Sequence, residues 1–250
     1  IIHYFILSAT VIHFTEPSAC PEDFHDVGDG VCFIKNASLT DYCSAHELCM
    51  EEGKRRGLHL FMVGKHVGKL RAMEKYCPIH TALHGLLKDI GKLHVGWQYN
   101  DPGEDGFIET DSGLPWGTNE PNGDLYSVVE YLCTGLNDNS QNTMKRNVIC
   151  ELSREPLLDV KNHTKFDKKW PYFINSIENF AETNETIGCF SEVDSVTMIE
   201  CAMRCKQRYT CKSFYFERAK KKCYLALFVD SRLSKKAGYS KDWVRFGKVT

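Results

Sequence analysis

Residues 116–122 read Trp-Gly-Thr-Asn-Glu-Pro-Asn, and they lie in a stretch, 99–124, that is dense in Gly, Pro, Asn and Asp. A long irregular loop inside a compact domain is usually functional. The same Asn-Glu-Pro-Asn letters are also an ordinary turn sequence. Pro121 allows the peptide bond before it to be cis at small cost, and a cis bond would aim the side chains of Glu120 and Asn122 at one point. The chain on either side of this loop has to decide between the two interpretations.

A helix is predicted upstream of the loop, over residues 40–52, with Thr40 able to cap its start and Gly53 able to end it. Its apolar stripe consists of Tyr42, Ala45, Leu48 and Cys49. The stripe places Cys49 on the inward face of the helix. Cys43 lies roughly 240° from Cys49 around the helix, so it should have a different partner.

Four other elements complete this first module. Cys20 and Cys32 bracket a Gly- and Pro-marked turn, which predicts a hairpin closed by a disulfide. A second helix is predicted from about His66, with one face formed by Val67, Leu70, Met73 and Cys77. Residues 93–97 and 148–151 are predicted to be strands. His80 and His84, four residues apart, are interpreted as a solvated helix face, because no zinc-protease glutamate accompanies them.

Taken in order, these segments resemble the C-type lectin domain family over residues 20–152. The family has an inward cysteine on its first helix, in a setting like 48–53, and joins it to a terminal Ile-Cys-Glu, here 149–151. The resemblance therefore implies a Cys49–Cys150 disulfide. The family's central segments are matched by Val95-Gly96-Trp97, Asp101-Pro102, residues 106–113 and Leu136-Asn137-Asp138, where Leu136 replaces a tryptophan. The implied fold class is α+β, with two helices, small antiparallel sheets and a long loop region.

The resemblance also implies a calcium-dependent sugar site. Calcium takes six to eight oxygen ligands from carboxylates, amide carbonyls and waters. The matching residues that would supply them are Glu120, Asn122, Asn137 and Asp138. In the family, two sugar hydroxyls complete the coordination, while the Glu accepts a hydrogen bond from one and the Asn donates one to the other. The order Glu-Pro-Asn implies mannose, fucose or N-acetylglucosamine, whereas the galactose type reads Gln-Pro-Asp.

This chain departs from the family in two places. Ser127 stands where the first cysteine of the usual second disulfide is expected, and residues 141–142 stand where its partner is expected. The usual acidic ligand just before that cysteine is replaced by residues 125–126, and Asp124 is the nearest substitute ligand. Both departures favour an alternative function, namely a calcium-independent, protein-binding member of the fold that binds no sugar.

A second module is predicted over residues 187–250. A helix is predicted from Ser195 to Gln207, and its inward stripe consists of Met198, Cys201, Ala202 and Cys205. Strands over 212–216 and 223–225 are joined by a basic turn, Arg218 to Lys222. The patterns Cys-Ala-x-x-Cys, Cys-x-x-Phe and Cys-Tyr-Leu resemble a PAN/apple domain, a non-catalytic fold that binds proteins or carbohydrates. The resemblance implies the disulfides Cys201–Cys223 and Cys205–Cys211, which tie a helix to an antiparallel sheet.

The 12 cysteines of the 250-residue chain indicate an oxidising compartment. Residues 1–19 have the apolar core and polar end of a signal peptide that is incomplete at its N-terminus. Glycosylation sequons begin at Asn36, Asn162 and Asn184. The chain is therefore predicted to be secreted and extracellular. The cysteines without an assigned partner, which allow three pairings, are Cys43, Cys77, Cys133 and Cys189. Full oxidation would force one bridge between the modules, unless two chains share it.

The two halves of the chain have opposite charge. Residues 1–152 carry 12 Lys and Arg against 21 Asp and Glu, a net of −9, and residues 153–250 carry 19 against 12, a net of +7. An acidic module is thus joined to a basic one through a predicted linker, 153–186. The run Arg218 to Lys222 is a candidate contact for sulfated glycan, and its alternative is a solvated turn.

The sequence contains no Gly-x-Ser-x-Gly, no P-loop and no dinucleotide fingerprint, so we predict that the protein is not an enzyme. Neither a nucleic-acid partner nor a membrane span in the mature chain is predicted. The predicted function is that of a secreted, calcium-dependent lectin of mannose type, whose PAN/apple module contacts proteins or glycans.

Overall fold

A computed structural model describes residues 20–88, 93–102, 106, 113–122, 128–155, 164–170, 180–181, 187–234 and 243–249. The predicted signal segment 1–19, the substitute ligand Asp124 and the sequons at Asn162 and Asn184 lie outside these residues. Among the described residues, no helix is long and apolar enough to cross a bilayer.

In the part of the chain that the structure describes, the first module contains two helices and seven strands. In chain order they are β1 (His25–Asp26), β2 (Cys32–Thr40), α1 (Tyr42–Arg56), β3 (Leu60–Met62), a 3₁₀ helix (Val67–Tyr76), β4 (Ile79–His84), β5 (Val128–Tyr131), β6 (Leu136–Asn139) and β7 (Lys145–Leu152). These seven form one sheet in the order β1-β2-β7-β4-β5-β6, with β3 paired to β7. The eighth strand, β8 (Lys165–Asp167), follows β7 in the chain and belongs to the next sheet.

The second module is a small antiparallel sheet with one helix. Its elements are β9 (Phe180–Ala181), β10 (Cys189–Val193), α2 (Met198–Gln207), β11 (Cys211–Glu217), β12 (Lys222–Leu227), β13 (Leu233–Ser234) and β14 (Trp243–Val249). The sheet has the order β10-β12-β11-β14-β8, and β13 pairs separately with β9. Strand β8 comes from the predicted linker, so part of that segment is built into the second sheet. The predicted α+β class is confirmed.

The predicted bounds of α1 were wrong at both ends. Asp41, not Thr40, caps the start, because its Oδ1 accepts the Ser44 N–H at 2.8 Å. Gly53 lies inside the helix, and Gly57 ends it by donating its N–H to the carbonyls of the preceding turn. The buried side of the helix consists of Tyr42, Ala45, His46, Cys49 and Gly53, so Cys49 does face inward.

The strand predicted over residues 93–97 was also wrong. Gly96 has φ of +85°, a left-handed conformation that ends an extended segment. The Trp97 indole donates back to the Leu93 carbonyl at 2.9 Å and closes a turn instead. Strand β4 lies earlier in the chain, at residues 79–84. It places His80 and His84 in the core, where they are at most 1% exposed. Their interpretation as a solvated helix face was therefore wrong.

Two predictions for α2 were wrong as well. The helix begins at Met198 rather than at Ser195, and Thr197 caps it in a reciprocal arrangement with Glu200. Met198 is 37% exposed and does not belong to the inward stripe, whereas Cys201 and Cys205 are fully buried.

Two apolar clusters pack on opposite faces of the first sheet. Neighbouring residues divide between them: Phe33 and Ile149 belong to one cluster, while Ile34 and Cys150 belong to the other. This division follows from the alternation of side chains along a strand. The second cluster also contains Val229 of the second module. The two modules therefore share a hydrophobic core.

A disulfide reinforces this junction. Cys43 on α1 is bonded to Cys189 on β10, which is the inter-module bridge that full oxidation requires. His46 stacks on Phe228 with ring centroids 5.3 Å apart. The four pairs predicted from the sequence are also present: Cys20–Cys32, Cys49–Cys150, Cys201–Cys223 and Cys205–Cys211.

Candidate functional site: a carboxylate pair beside strand β6

Strand β6 is the platform of the site, and the long loop is fastened to it by backbone hydrogen bonds. The Leu136 N–H donates to the Pro115 carbonyl at 2.8 Å, and the Gly117 N–H donates to the Leu136 carbonyl at 2.9 Å. The two segments come so close that a Cβ on Gly135 would lie 2.5 Å from the Gly117 nitrogen. A turn then closes where the Glu120 N–H donates to the Gly117 carbonyl at 3.1 Å. Glu120 is thereby returned to the side of β6.

Glu120, Asn122 and Asp138 come together at this point. The Asn122 N–H donates to Asp138 Oδ1 at 3.2 Å, and the Asn122 side-chain amide donates to Glu120 Oε1 at 3.4 Å. The peptide bond between Glu120 and Pro121 is cis. Asp138 is only 3% exposed, whereas Asn122 is exposed to solvent. Three of the five predicted ligands thus form one cluster.

The electrostatics of this cluster are unusual because its two carboxylates face each other. Burial and the neighbouring Asp138 carboxylate raise the pKa of Glu120 to about 7. Apart from Asp138, the buried Oε2 atom of Glu120 has no hydrogen-bond partner in the described part of the chain. Two carboxylates in this position repel one another until a proton or a cation lies between them.

The other two predicted ligands are placed differently. The Asn137 side-chain amide donates to the Asp138 carbonyl at 3.2 Å. Asn137 and Asp138 are consecutive on a strand, so their side chains leave it on opposite faces. Asp124 lies outside the described residues. The role of both residues as ligands stays a prediction.

A supporting ion pair, which sequence reasoning missed, joins β5, the strand that forms a hairpin with β6, to β7. Glu130 on β5 is 2% exposed and pairs with Lys145 on β7. Asn139 at the end of β6 donates to Glu130 Oε1 at 2.6 Å. The pairing of Glu130 with Asn137 across the hairpin could have indicated this group once the strand register was known. These contacts fix the end of β6 to strands β5 and β7.

The donor set fits a hard cation such as calcium. The described residues contain no group of three or more His, Cys, Asp or Glu side chains that would hold a metal alone. Two carboxylates and the Asn122 amide provide oxygen ligands, and the orphaned Glu120 Oε2 is an oxygen that a cation would satisfy.

The basic turn of the second module is less free than its sequence indicates. Lys220 lies 3.2 Å from Glu217, and Lys222 pairs with Glu192 and lies 3.6 Å from Asp194. Much of the positive charge in this turn is therefore neutralised within the module.

Comparison with known proteins supports the division into two modules. Residues 179–243 match the PAN domain family. No curated protein matches the chain. The match to the PAN family confirms the second module. A C-type lectin-like fold is confirmed for the first module by the Cys49–Cys150 bridge, the pairing of β2 with β7 and the long loop beside β6.

The first module is similar in topology to several solved structures. The C-type lectin CEL-I from Cucumaria echinata is 18% identical, and the match covers 54% of this chain and 99% of that chain with a TM-score of 0.41. The human scavenger receptor C-type lectin carbohydrate-recognition domain is 15% identical, with 54% and 99% covered and a TM-score of 0.40. The herring type II antifreeze protein is 18% identical, with 55% and 99% covered and a TM-score of 0.38.

Proposed function

We propose that this protein is a secreted, calcium-dependent lectin that binds mannose-type glycans through the first module. The observation that carries the proposal is the facing pair of carboxylates, Glu120 and Asp138, with a buried Glu120 oxygen that has no partner other than Asp138 in the described residues. Calcium would replace the shared proton and satisfy that oxygen. The sugar would be mannose, fucose or N-acetylglucosamine, as the Glu-Pro-Asn order implies.

Each residue of the cluster has a part in this proposal. Glu120 binds the ion and accepts a hydrogen bond from one sugar hydroxyl, and Asn122 binds the ion and donates a hydrogen bond to the next hydroxyl. Asp138 supplies the second negative charge and holds the loop through the Asn122 N–H. Asn137 and Asp124 would complete the oxygen ligands. The ion supplies a positive centre that orients two neighbouring hydroxyls.

The second module would contribute a further contact with proteins or sulfated glycans. We also propose that Asn36, Asn162 and Asn184 carry glycans and that residues 1–19 direct secretion. The cross-linked fold, with five disulfides, supports an oxidising destination.

A second candidate function is calcium-independent binding of a protein. It is favoured by the outer face of α2, where Met198, Ile199 and Met203 are 37%, 73% and 46% exposed. Exposed apolar side chains that lie together on a helix are typical of protein contacts. Under this alternative, Glu120 and Asp138 would share a proton at neutral pH and bind no ion.

Retention on mannose resin distinguishes the two functions. The wild-type chain should be retained with calcium and released by a chelator. The double variant Glu120→Gln with Asn122→Asp reverses acceptor and donor, so retention should move from mannose to galactose resin. Asn142→Ala, at an exposed position in the adjacent turn, is the matched control and should behave as wild type. Passage of the folded wild-type chain through mannose resin in calcium would contradict the proposal.

A further inference from the structure

Two cysteine thiols remain outside the five disulfides, and they face each other. Cys77 follows the 3₁₀ helix and is half-buried, while Cys133 is exposed in the turn between β5 and β6. The Cys77 N–H donates to the Glu74 carbonyl at 3.0 Å, and the Cys133 thiol donates to the same oxygen at 3.5 Å. The neighbouring Cys133 thiol also helps to raise the pKa of Cys77.

The strand register explains why they meet. Ile79 on β4 pairs with Tyr131 on β5 in an antiparallel ladder. Cys77 comes two residues before Ile79 and Cys133 comes two residues after Tyr131, so both cysteines lie just beyond the same end of this ladder. Both also contact the Glu74 carbonyl oxygen, Cys77 through its N–H and Cys133 through its thiol. A disulfide needs Cβ atoms about 3.5–4.5 Å apart, a separation that a movement of the exposed turn would bring about.

We propose that Cys77 and Cys133 close a sixth disulfide, and that this bond is the first one to open when the protein meets a reductant. Each of the five other disulfides has at least one cysteine that is 5% exposed or less. Neither Cys77 nor Cys133 is buried to that extent. Small thiols and phosphines would therefore reach the sixth bond before the others.

The chemistry needs a disulfide oxidant such as oxidised glutathione. The exposed Cys133 thiolate attacks one sulfur of the oxidant and releases the first glutathione thiolate. Cys77 then loses its proton to solvent and displaces the second glutathione from Cys133. Two protein S–H bonds and the S–S bond of the oxidant are replaced by one protein S–S bond and two glutathione thiols.

This order of events follows from the two environments. Burial, together with the neighbouring Cys133 thiol, raises the pKa of Cys77 to about 12, so Cys77 is a poor first nucleophile in water. Once Cys133 carries glutathione, Cys77 lies beside the sulfur that it must attack. Proximity then compensates for its small thiolate fraction.

The bond would brace the hairpin that carries Asn137 and Asp138. The turn that it would anchor is closed by the Leu132 N–H donating to the Gly135 carbonyl at 2.9 Å. The departures from the family remove the usual second disulfide from this hairpin region, at Ser127 and residues 141–142. A Cys77–Cys133 bond would hold the same hairpin from its opposite end. The bond itself does not depend on the proposed sugar binding.

The test is disulfide mapping of the full chain after equilibration with oxidised glutathione. Thiols are blocked with N-ethylmaleimide in the native state, and the chain is then digested without reduction. The expected result is a Cys77–Cys133 peptide. After mild treatment of the native protein with a phosphine, Cys77 and Cys133 should be alkylated before Cys20 or Cys43. Alkylation of both thiols in the glutathione-treated protein, or a Cys133 link to a second chain, would overturn the proposal.

Two variants keep the test independent of folding defects. Cys77→Ser should trap glutathione on Cys133 as a stable adduct, which the wild-type chain resolves. Cys133→Ser, at an exposed turn, should leave Cys77 unbridged and speed amide hydrogen exchange over residues 132–138 relative to the oxidised wild type. Equal exchange in the two proteins would show that the bond does not brace the hairpin.

Discussion

Two carboxylate sites, one in each module, differ in whether the chain supplies a positively charged partner. In the second module, Asp230 is buried and fully partnered, by the Arg245 guanidinium, the Ser213 hydroxyl at 2.5 Å and the Ser231 N–H at 3.0 Å. In the first module, Glu120 and Asp138 face each other, and neither forms an ion pair with a basic side chain of the described residues. Glu130, on the strand next to that of Asp138, forms an ion pair with Lys145.

This difference shows where the chain leaves room for an outside cation. A buried charge is stable only with a partner, and the chain supplies one at Asp230 and at Glu130. The absence of such a partner among the described neighbours of Glu120 and Asp138 fits a site that has an external ion as its partner. The raised pKa of Glu120 has the same cause as the expected affinity for calcium.

The largest expected effect comes from breaking the pair that is complete. Arg245→Met should lower the free energy of unfolding by about 3–5 kcal/mol, because it leaves the buried Asp230 charge without its cation. Asp138→Asn, measured without calcium, should change it by less than about 1 kcal/mol, because it removes a repulsion and preserves the acceptor for the Asn122 N–H. Urea unfolding followed by circular dichroism measures both. Equal losses in the two variants would remove the contrast between the sites.

A second effect concerns the pH dependence of calcium binding. With the pKa of Glu120 raised to about 7, its carboxyl is protonated below neutrality and calcium has to displace that proton. The apparent association constant should therefore fall as pH falls, by about tenfold per unit below pH 7. Near pH 7, binding should release about half a proton, which calorimetry in buffers of different ionisation enthalpy detects. An affinity that is constant from pH 8 to pH 6 would show that no shared proton occupies the site.

The smallest effect is expected at the exposed ion pairs of the basic turn. Replacing Lys220, Lys221 and Lys222 with Ala should change the stability only slightly, because ion pairs of lysines at the surface are screened by solvent. Retention on heparin should fall only slightly, since Lys220 and Lys222 already pair with acidic side chains. Elution of the variant at a much lower salt concentration than wild type would instead make this turn the polyanion contact.

Local patterns predicted those parts of the fold that depend on nearby residues. The inward position of Cys49 followed from an apolar stripe, and the meeting of Glu120 with Asn122 followed from the proline between them. The burial of His80 and His84 was not predictable in the same way. Residues four apart share a face of a strand as well as of a helix, so only the pairing of β4 with its neighbours decides. The strand predicted at 93–97 is replaced by a turn, which the Trp97 indole closes by donating to the Leu93 carbonyl.

Local patterns alone do not predict the long-range features of the site, although the family resemblance implied that Glu120 and Asp138 share one. The direct approach of Asp138 to Glu120 depends on the hydrogen bonds between Gly117 and Leu136, which no local pattern contains. The Cys43–Cys189 bridge depends on the face that α1 turns toward the second module. The nearness of Cys77 and Cys133 depends on the pairing of Ile79 with Tyr131, which brings both cysteines to the same end of the ladder.

Calcium titration of the folded chain by isothermal calorimetry tests the central claim most directly. The account predicts one calcium bound, with a dissociation constant on the order of 0.1–1 mM, as for extracellular modules of this ligand type. It predicts that Glu120→Gln and Asp138→Asn each abolish the binding, while Asn142→Ala leaves it unchanged. A wild-type chain that binds no calcium, or an Asp138→Asn variant that binds it as tightly as wild type, would contradict the claim that this carboxylate pair is a cation site.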